Sequence, residues 1–302
     1  MISLSKMTDM TGAVWEPGTV IKVLDSGARI SSVRGNDSSV LVWIPEEYRP
    51  LKYELRKMAR ETIAGSGMEK YLLWPEKIIY EDSTGKVCGY TAKKPAVCGQ
   101  LAPLKEFIGR KKSFDARERR LCAEIGYKTA RIYEAVRNTA GRYTMGICTP
   151  DSFYTDDNYN VFYLEAYSCA TERHPVVKTC YAAPELLMQN SWAGKFSEET
   201  DAFNYALILF QILTGRFPYD PGRDAHRADV DQVWKLMCDG ESIFYDETSE
   251  IFQQTDALLK SYSGNIETMF RRAFDYCGAR DYVQTRPTVG MWMETLMECL
   301  GG

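Results

Sequence analysis

The spacing of apolar and polar residues changes near residue 100. Before that point, short β-branched runs alternate with Gly, Ser and Asp turns, which predicts strands. Val20–Leu24 and Ile30–Val33 flank Asp25-Ser26-Gly27-Ala28 and read as a hairpin, and Ser39–Ile44 reads as a third strand that Pro45 ends. The charged stretch Glu46–Ala64 is expected to be one helix, closed by Gly65-Ser66-Gly67. Two further strands, Leu72–Tyr80 and Lys86–Thr91, are expected on either side of the turn Glu81-Asp82-Ser83-Thr84-Gly85.

From Leu101 onward the period becomes helical. Phe114–Arg137 carries Leu121, Ile125, Ile132 and Val136 on one face, with Arg and Glu elsewhere. A strand is expected at Asn160–Glu165 after the turn Asp156-Asp157-Asn158, and helices and loops thereafter. No internal repeat or low-complexity tract interrupts this order.

Composition narrows the classes. Of the 302 residues, 45% are hydrophobic and 26% are charged, which is enough apolar material for a substantial core. The longest strongly apolar stretch, Phe203–Leu213, is interrupted by Asn204 and Gln211 and is too short to span a bilayer; with no signal-peptide pattern, a cytoplasmic location is expected. Nine scattered cysteines without a CxxC pair read as reduced thiols. A net charge of −4 with interleaved signs gives no reason to expect nucleic acid or a membrane as partner, and Gly109-Arg110-Lys111-Lys112 reads as a solvated turn. With only His174 and His226, a multi-histidine metal site is excluded.

The most specific words come late: Tyr181-Ala182-Ala183-Pro184-Glu185, Thr200-Asp201-Ala202-Phe203-Asn204-Tyr205-Ala206, Leu213-Thr214-Gly215-Arg216-Phe217-Pro218-Tyr219 and Arg286-Pro287-Thr288. In this order and spacing they resemble the C-terminal lobe of protein kinases, with Pro184-Glu185 matching the end of the A-P-E motif. The resemblance implies an α+β, bilobal protein kinase-like fold: a small antiparallel-sheet N-lobe with one main helix over 1–98, and a mostly helical C-lobe over 99–302. It also implies three structural residues, namely a buried Asp201 opening the central helix and a Glu185–Arg286 pair. Such a pair is tolerable inside a protein when the two groups satisfy each other. Trp74-Pro75 followed by Val87-Cys88-Gly89-Tyr90-Thr91 resembles bacterial kinase-like proteins associated with PP2C phosphatases and von Willebrand A domains.

The positions that carry phosphoryl transfer in that family are altered here. The third strand offers Val42, or Trp43 one residue on, where the phosphate-binding lysine belongs, and no lysine lies between Lys22 and Lys52. Lys22 is a weak candidate for a relocated phosphate lysine. Only Gly27 lies in the hairpin turn that should cradle phosphates. Met145–Phe153 aligns with the catalytic loop, placing Ile147 at the catalytic aspartate and Ser152 at the metal-binding asparagine. Glu165 stands at the metal-binding aspartate and is a weak metal candidate. Glu54 or Glu61 would be the former partner of the missing lysine, and Asp151 and Asp156 are the other carboxylates a relocated chemistry could use.

The expectation is therefore a catalytically inactive pseudokinase with no catalytic residue, cofactor or metal, acting as a scaffold or allosteric regulator. The resemblance implies a phosphatase, an active kinase or a von Willebrand A protein as partner. Two alternatives stay open: a phospho- or nucleotidyl-transferase with relocated residues, using ATP and magnesium, and a non-catalytic nucleotide or small-ligand sensor. Thr171, Thr179 and Tyr181 could accept a phosphate in principle, but no H-R-D arginine waits to receive one. Trp192, Trp234 and Trp292 read as core or as interface anchors.

Overall fold

The computed structural model of the protein describes residues 7–45, 52–61, 63, 67–95, 100–110, 112–171, 173–175, 179–188, 193–219, 229–275 and 285–301. The chain divides into two units. One takes the residues up to Ala102 together with Ala135–Met145 and Asp151–Thr171, and the other takes Pro103–Glu134, Gly146–Pro150 and Glu172–Gly302. The boundary expected between 98 and 99 lies outside the described residues, as do Trp192 and His226.

The first unit is built on an antiparallel sheet of seven strands: β1 (Met7–Asp9), β2 (Val14–Trp15), β3 (Pro17–Val23), β4 (Arg29–Val33), β5 (Asn36–Trp43), β6 (Lys77–Glu81) and β7 (Val87–Lys93). Their order across the sheet is β2-β1-β6-β7-β5-β4-β3. The hairpin β3–β4 turns at Asp25-Ser26-Gly27, where Gly27 takes a φ of +85° that a side chain would resist. Two strands, β1 and β2, were not anticipated. The strand expected from Leu72 starts at Lys77, because Pro75 cannot donate to a ladder; Leu72 instead makes a single parallel bridge to Tyr163.

Successive residues of β5 face opposite sides of the sheet. Leu41 packs with Met7, Val33, Ile79 and Cys88 on one face, with Trp15 and Trp43 against them. Val42, fully buried, is paired across the ladders with Ile30 and Tyr90. The ladder is tight beside it: a Cβ on Gly89 would lie 2.2 Å from the Val42 carbonyl oxygen. The helix expected over 46–64 is described as α1, Lys52–Met58; 46–51 lie outside the described residues. The same unit holds the hairpin of β9 (Phe153–Thr155) and β10 (Val161–Tyr163), shorter than the strand expected to Glu165 because a 3-10 turn begins at Ala166. A short strand, β8, spans Ala102–Pro103.

The second unit is mostly helical. It contains α2 (Leu104–Gly109), most of α3 (Ala116–Arg137), α4 (Pro184–Leu187), α5 (Glu198–Thr214), α6 (Val230–Asp239), α7 (Glu250–Lys260), α8 (Ile266–Phe274) and α9 (Val289–Gly301), with a small pairing of β11 (Arg173–Pro175) and β12 (Ala193–Lys195). The helix α5 is buried from Thr200 to Thr214 and packs against α2, α7, α8 and α9. Its ends follow from local chemistry: Ser197 and Thr200 form a capping box, and Gly215 closes it at φ +69°. At Gly126 of α3 a Cβ would approach the Leu209 side chain to 2.6 Å, so the glycine sets how near α3 comes to α5. Trp292 is fully buried and packs on Phe270, which makes it core, and Trp234 is half-buried on α6.

Candidate functional site

The first unit gathers several of the singled-out residues around Glu165. The carboxyl lies where β10 ends and the 3-10 turn begins, and Tyr167 donates a 3.0 Å hydrogen bond to its Oε1. Ser26, at the tip of the β3–β4 hairpin, shares a 2.7 Å hydrogen bond with the same Tyr167 hydroxyl. Burial pushes the Glu165 carboxyl above the ordinary range; hydroxyl bonds from Ser26, Tyr167 and Ser152 oppose this, and the nearby Asp25 charge adds to it. Burial, with the Glu165 charge, also raises the Tyr167 phenol. The site is a closed cluster of one carboxyl and three hydroxyls.

Two strands bring this cluster together. Ser152 immediately precedes β9, and Tyr154, two residues on, shares the alternation that turns Ser152 inward. Tyr154 is 1% exposed, and burial, with the charges of Glu165, Asp25 and Asp151, raises its phenol. Lys22 does not reach for the carboxyl. Its ammonium donates to the Leu101 carbonyl at 2.8 Å and lies 4.9 Å from the centre of the Tyr154 ring.

The other candidates are engaged elsewhere. Of Val42 and Trp43, Val42 faces the side that carries Tyr90, whose buried hydroxyl is raised first by burial, then by Cys169, with Glu165 adding. Trp43 points to the other face. Glu54 on α1 accepts from the Thr171 hydroxyl, at 3.2 Å to each oxygen, and lies 3.9 Å from Lys57. Glu61 accepts from the Gly141 N–H at 2.9 Å and from the Tyr143 hydroxyl at 3.4 Å. Asp156 is taken up by its own turn, accepting from the backbone N–H groups of Asn158 and Asn160 and from the Asn160 side chain. Among the described residues, no group of three or more His, Cys, Asp and Glu side chains is arranged to hold a metal ion.

In the second unit Ile147 is half-buried, between Gly146 at φ +81° and a buried Cys148. The segment is held by Asn204 of α5, which donates to the carbonyls of Cys148 (2.8 Å) and Tyr181 (3.0 Å) and accepts from Cys148 N–H (3.3 Å) and the Tyr133 hydroxyl (2.7 Å). The sequence places Asn204 in the Thr200–Ala206 word and as a break in an apolar run, without assigning it these bonds. Its signal was there: an amide in the middle of a stretch with no other reason to be polar. Asp201 is buried in the first turn of α5, and its charge adds to the effect of burial and Cys148 in raising the Tyr133 phenol. Arg286 donates to both oxygens of Glu185, at 2.7 and 2.9 Å, donates to the Glu199 carbonyl at 2.9 Å, and lies over the Phe203 ring at 4.6 Å. The Tyr181 hydroxyl is buried and donates to Gln211 at 3.1 Å. Cys88, Cys122, Cys148, Cys169, Cys180, Cys238 and Cys299 are free thiols.

No protein-family model matches the chain, and no curated protein sequence does. Solved structures do match. The chain is similar to a Toxoplasma gondii specific rhoptry antigen kinase domain, at 11% identity and a TM-score of 0.58, over 98% of this chain and 86% of that one. It is likewise similar to a rhoptry kinase from Toxoplasma gondii, at 10% identity and a TM-score of 0.60, over 98% and 82%. At these identities the likeness is one of fold: the chain has the α+β protein kinase-like fold, an antiparallel-sheet N-lobe followed by a helical C-lobe. Among the described residues no helix is long and apolar enough to cross a membrane.

Proposed function

We propose that this kinase-like chain is catalytically inactive and works as a protein-binding scaffold or allosteric regulator. The observation that carries the reading is the Ser26–Tyr167–Glu165 chain of hydrogen bonds. In an active kinase the first hairpin arches over the nucleotide phosphates and the metal-binding carboxylate faces them. Here the hairpin tip is bonded to the Tyr167 hydroxyl that donates to Glu165, and protein hydroxyls engaging that carboxyl support a reading in which it holds no cation. Val42, on the sheet face of Tyr90, adds an apolar side chain where a lysine would neutralise phosphate charge. Each lost group is worth several kcal/mol of transition-state stabilisation in comparable sites, on the order of 3 kcal/mol for one donor. Losing lysine, base and asparagine together leaves little to accelerate the transfer.

Trp74-Pro75 and Gly89-Tyr90 favour a bacterial phosphorylation-related setting, with a phosphatase, an active kinase or a von Willebrand A protein as the partner. The proposal assigns no cofactor. Its test is a thermal-shift titration of the purified chain with ATP, with and without magnesium or manganese, because any ligand of the native state raises apparent stability. No shift at millimolar nucleotide is expected. A metal-dependent shift that Glu165→Ala abolishes would overturn the reading and point to a working nucleotide site.

A further inference from the structure

The helix α9 has an inner face committed to the core. Val289, Trp292, Thr295 and Leu296 are buried, Trp292 packs on Phe270, the Thr295 hydroxyl lies 3.1 Å from the Met269 sulfur, and a Cβ on Gly126 of α3 would lie 3.4 Å from the Leu296 side chain. Its outer face is unlike that of an ordinary surface helix. Met293, Met297 and Leu300 fall at i, i+4 and i+7, on one line beside the buried face. Met297 is 51% exposed, and Met293 and Leu300 are half-buried. Single apolar residues on a surface are ordinary, but three in register make a stripe. Glu294 and Glu298 form the adjoining line, exposed and one turn apart, and α9 holds no Lys or Arg. On α3 and α7 comparable carboxylates are paired within the helix, Glu124 with Lys128 and Asp256 with Lys260. Among the described residues neither Glu294 nor Glu298 has a hydrogen-bond or ion-pair partner.

We infer that this outer face of α9 is a docking surface for a basic amphipathic helix of a protein partner. The inference rests on the scaffold reading and supplies a contact through which a scaffold would act. Two features specify the occupant. The spacing of the stripe is the one against which a second helix packs, ridge into groove, and the 13 residues of α9 offer about 20 Å of it. Methionine is unbranched and polarizable, so it accommodates apolar side chains of varied shape. The two unpaired carboxylates then set the sign of the partner. Lys or Arg beside the partner's apolar stripe would meet them, whereas a second copy of α9 would set carboxylate against carboxylate. The charge pattern therefore selects a basic helix and disfavours self-pairing.

The probe is a labelled helical peptide of leucine and lysine, about four turns long, with its leucines on one face; an isomer of the same composition with scattered leucines is the control. Fluorescence anisotropy against the full chain at low salt should show saturable binding of the first peptide, at least about 10-fold tighter than of the second. Met297→Gln should weaken that binding by about 10-fold, as loss of a central apolar anchor does. Glu294→Lys combined with Glu298→Lys should weaken it as much and also remove its salt dependence. Asp157→Lys combined with Glu241→Lys makes the same change of net charge at exposed positions off α9 and should alter binding by no more than about 2-fold. All these positions except Met297 are charged surface sites and Met297 is half exposed, so melting temperatures should confirm that every variant stays folded. No saturable binding, equal binding of the two peptides, or an equal loss in the variant altered off α9 would overturn the inference. So would a dimer in sedimentation that Met297→Gln abolishes. The scaffold reading fails on a different result, metal-dependent ATP binding by the wild-type chain, so the two can fail separately.

Discussion

Asn204 brackets Cys148: its amide nitrogen donates to the Cys148 carbonyl at 2.8 Å while its oxygen accepts the Cys148 N–H at 3.3 Å. The same amide reaches the Tyr181 carbonyl and the Tyr133 hydroxyl, so one side chain of α5 ties the Cys148 segment to the segment before α4. Asn204→Leu keeps the branched shape at a larger volume and removes four buried hydrogen bonds. The expected cost is about 3 kcal/mol in urea unfolding, because partners left in an apolar surrounding lose more than the bonds are worth in water. A loss below about 1 kcal/mol would mean that water replaces the amide.

Arg286 and Glu185 should behave as a unit. Arg286→Met leaves the carboxylate facing an apolar neighbour and is expected to destabilise by about 3 kcal/mol. Arg286→Met combined with Glu185→Leu should cost less than that single change, since no buried charge then remains. A double variant as unstable as the sum of the two single changes would show that the pair is not coupled.

Asp9 gives a stability that depends on acid pH. Burial alone would raise its carboxyl, but bonds from Thr11, Trp15 and Ala13 outweigh that and bring it down to about 2, against 3.8 when unfolded. The contribution is present above 3.8 and is lost as the pH falls towards 2, and by linkage it amounts to about 2 kcal/mol. The wild type should lose this much relative to Asp9→Asn between pH 5 and pH 2, as read from denaturant midpoints. Parallel midpoints across that range would refute it.

Glu165 should show the opposite sign. Its folded-state carboxyl is raised, chiefly by burial, so the protonated form is the one the fold prefers. That preference carries no penalty below 4.5, the unfolded value, and the penalty grows as pH rises from there through the folded value. Glu165→Gln retains an acceptor for the Ser26, Tyr167 and Ser152 hydroxyls. Its melting temperature should exceed the wild type's at pH 7.5 by a few degrees, with the difference closing below pH 4.5. A variant less stable than the wild type at pH 7.5 would mean that the ionised carboxylate is doing structural work.

What could be read in advance depended on the length of the signal. The strands β3, β4, β5 and β7 and the helices α3 and α5 each carry enough residues to show a period, and the Glu185–Arg286 contact could be written down because both ends lie in recognisable words. The strands β1 and β2 have three and two residues, too few for alternation to register. The Ser26–Tyr167 bond joins residues 141 positions apart. A serine in a turn has the same composition whether it faces water or a buried phenol, so nothing local marked it. Val42 and Trp43 could not be told apart until the ladder with Tyr90 fixed which one faces that side.

The small hairpin at the start of the sheet has a consequence for solubility. Met7–Asp9 pairs with Ile79, Tyr80 and Glu81 of β6, and Asp9 locks the turn through Thr11, Ala13 and Trp15, with Lys77 3.6 Å from its carboxylate and 5.1 Å from the Trp15 ring. Without these few residues, Ile79, Tyr80 and Glu81 would sit on an open edge with unpaired N–H and C=O groups, a template onto which a second copy could add its own strand. The hairpin is thus an edge guard, and trimming it should be felt first as self-association between molecules that are still folded.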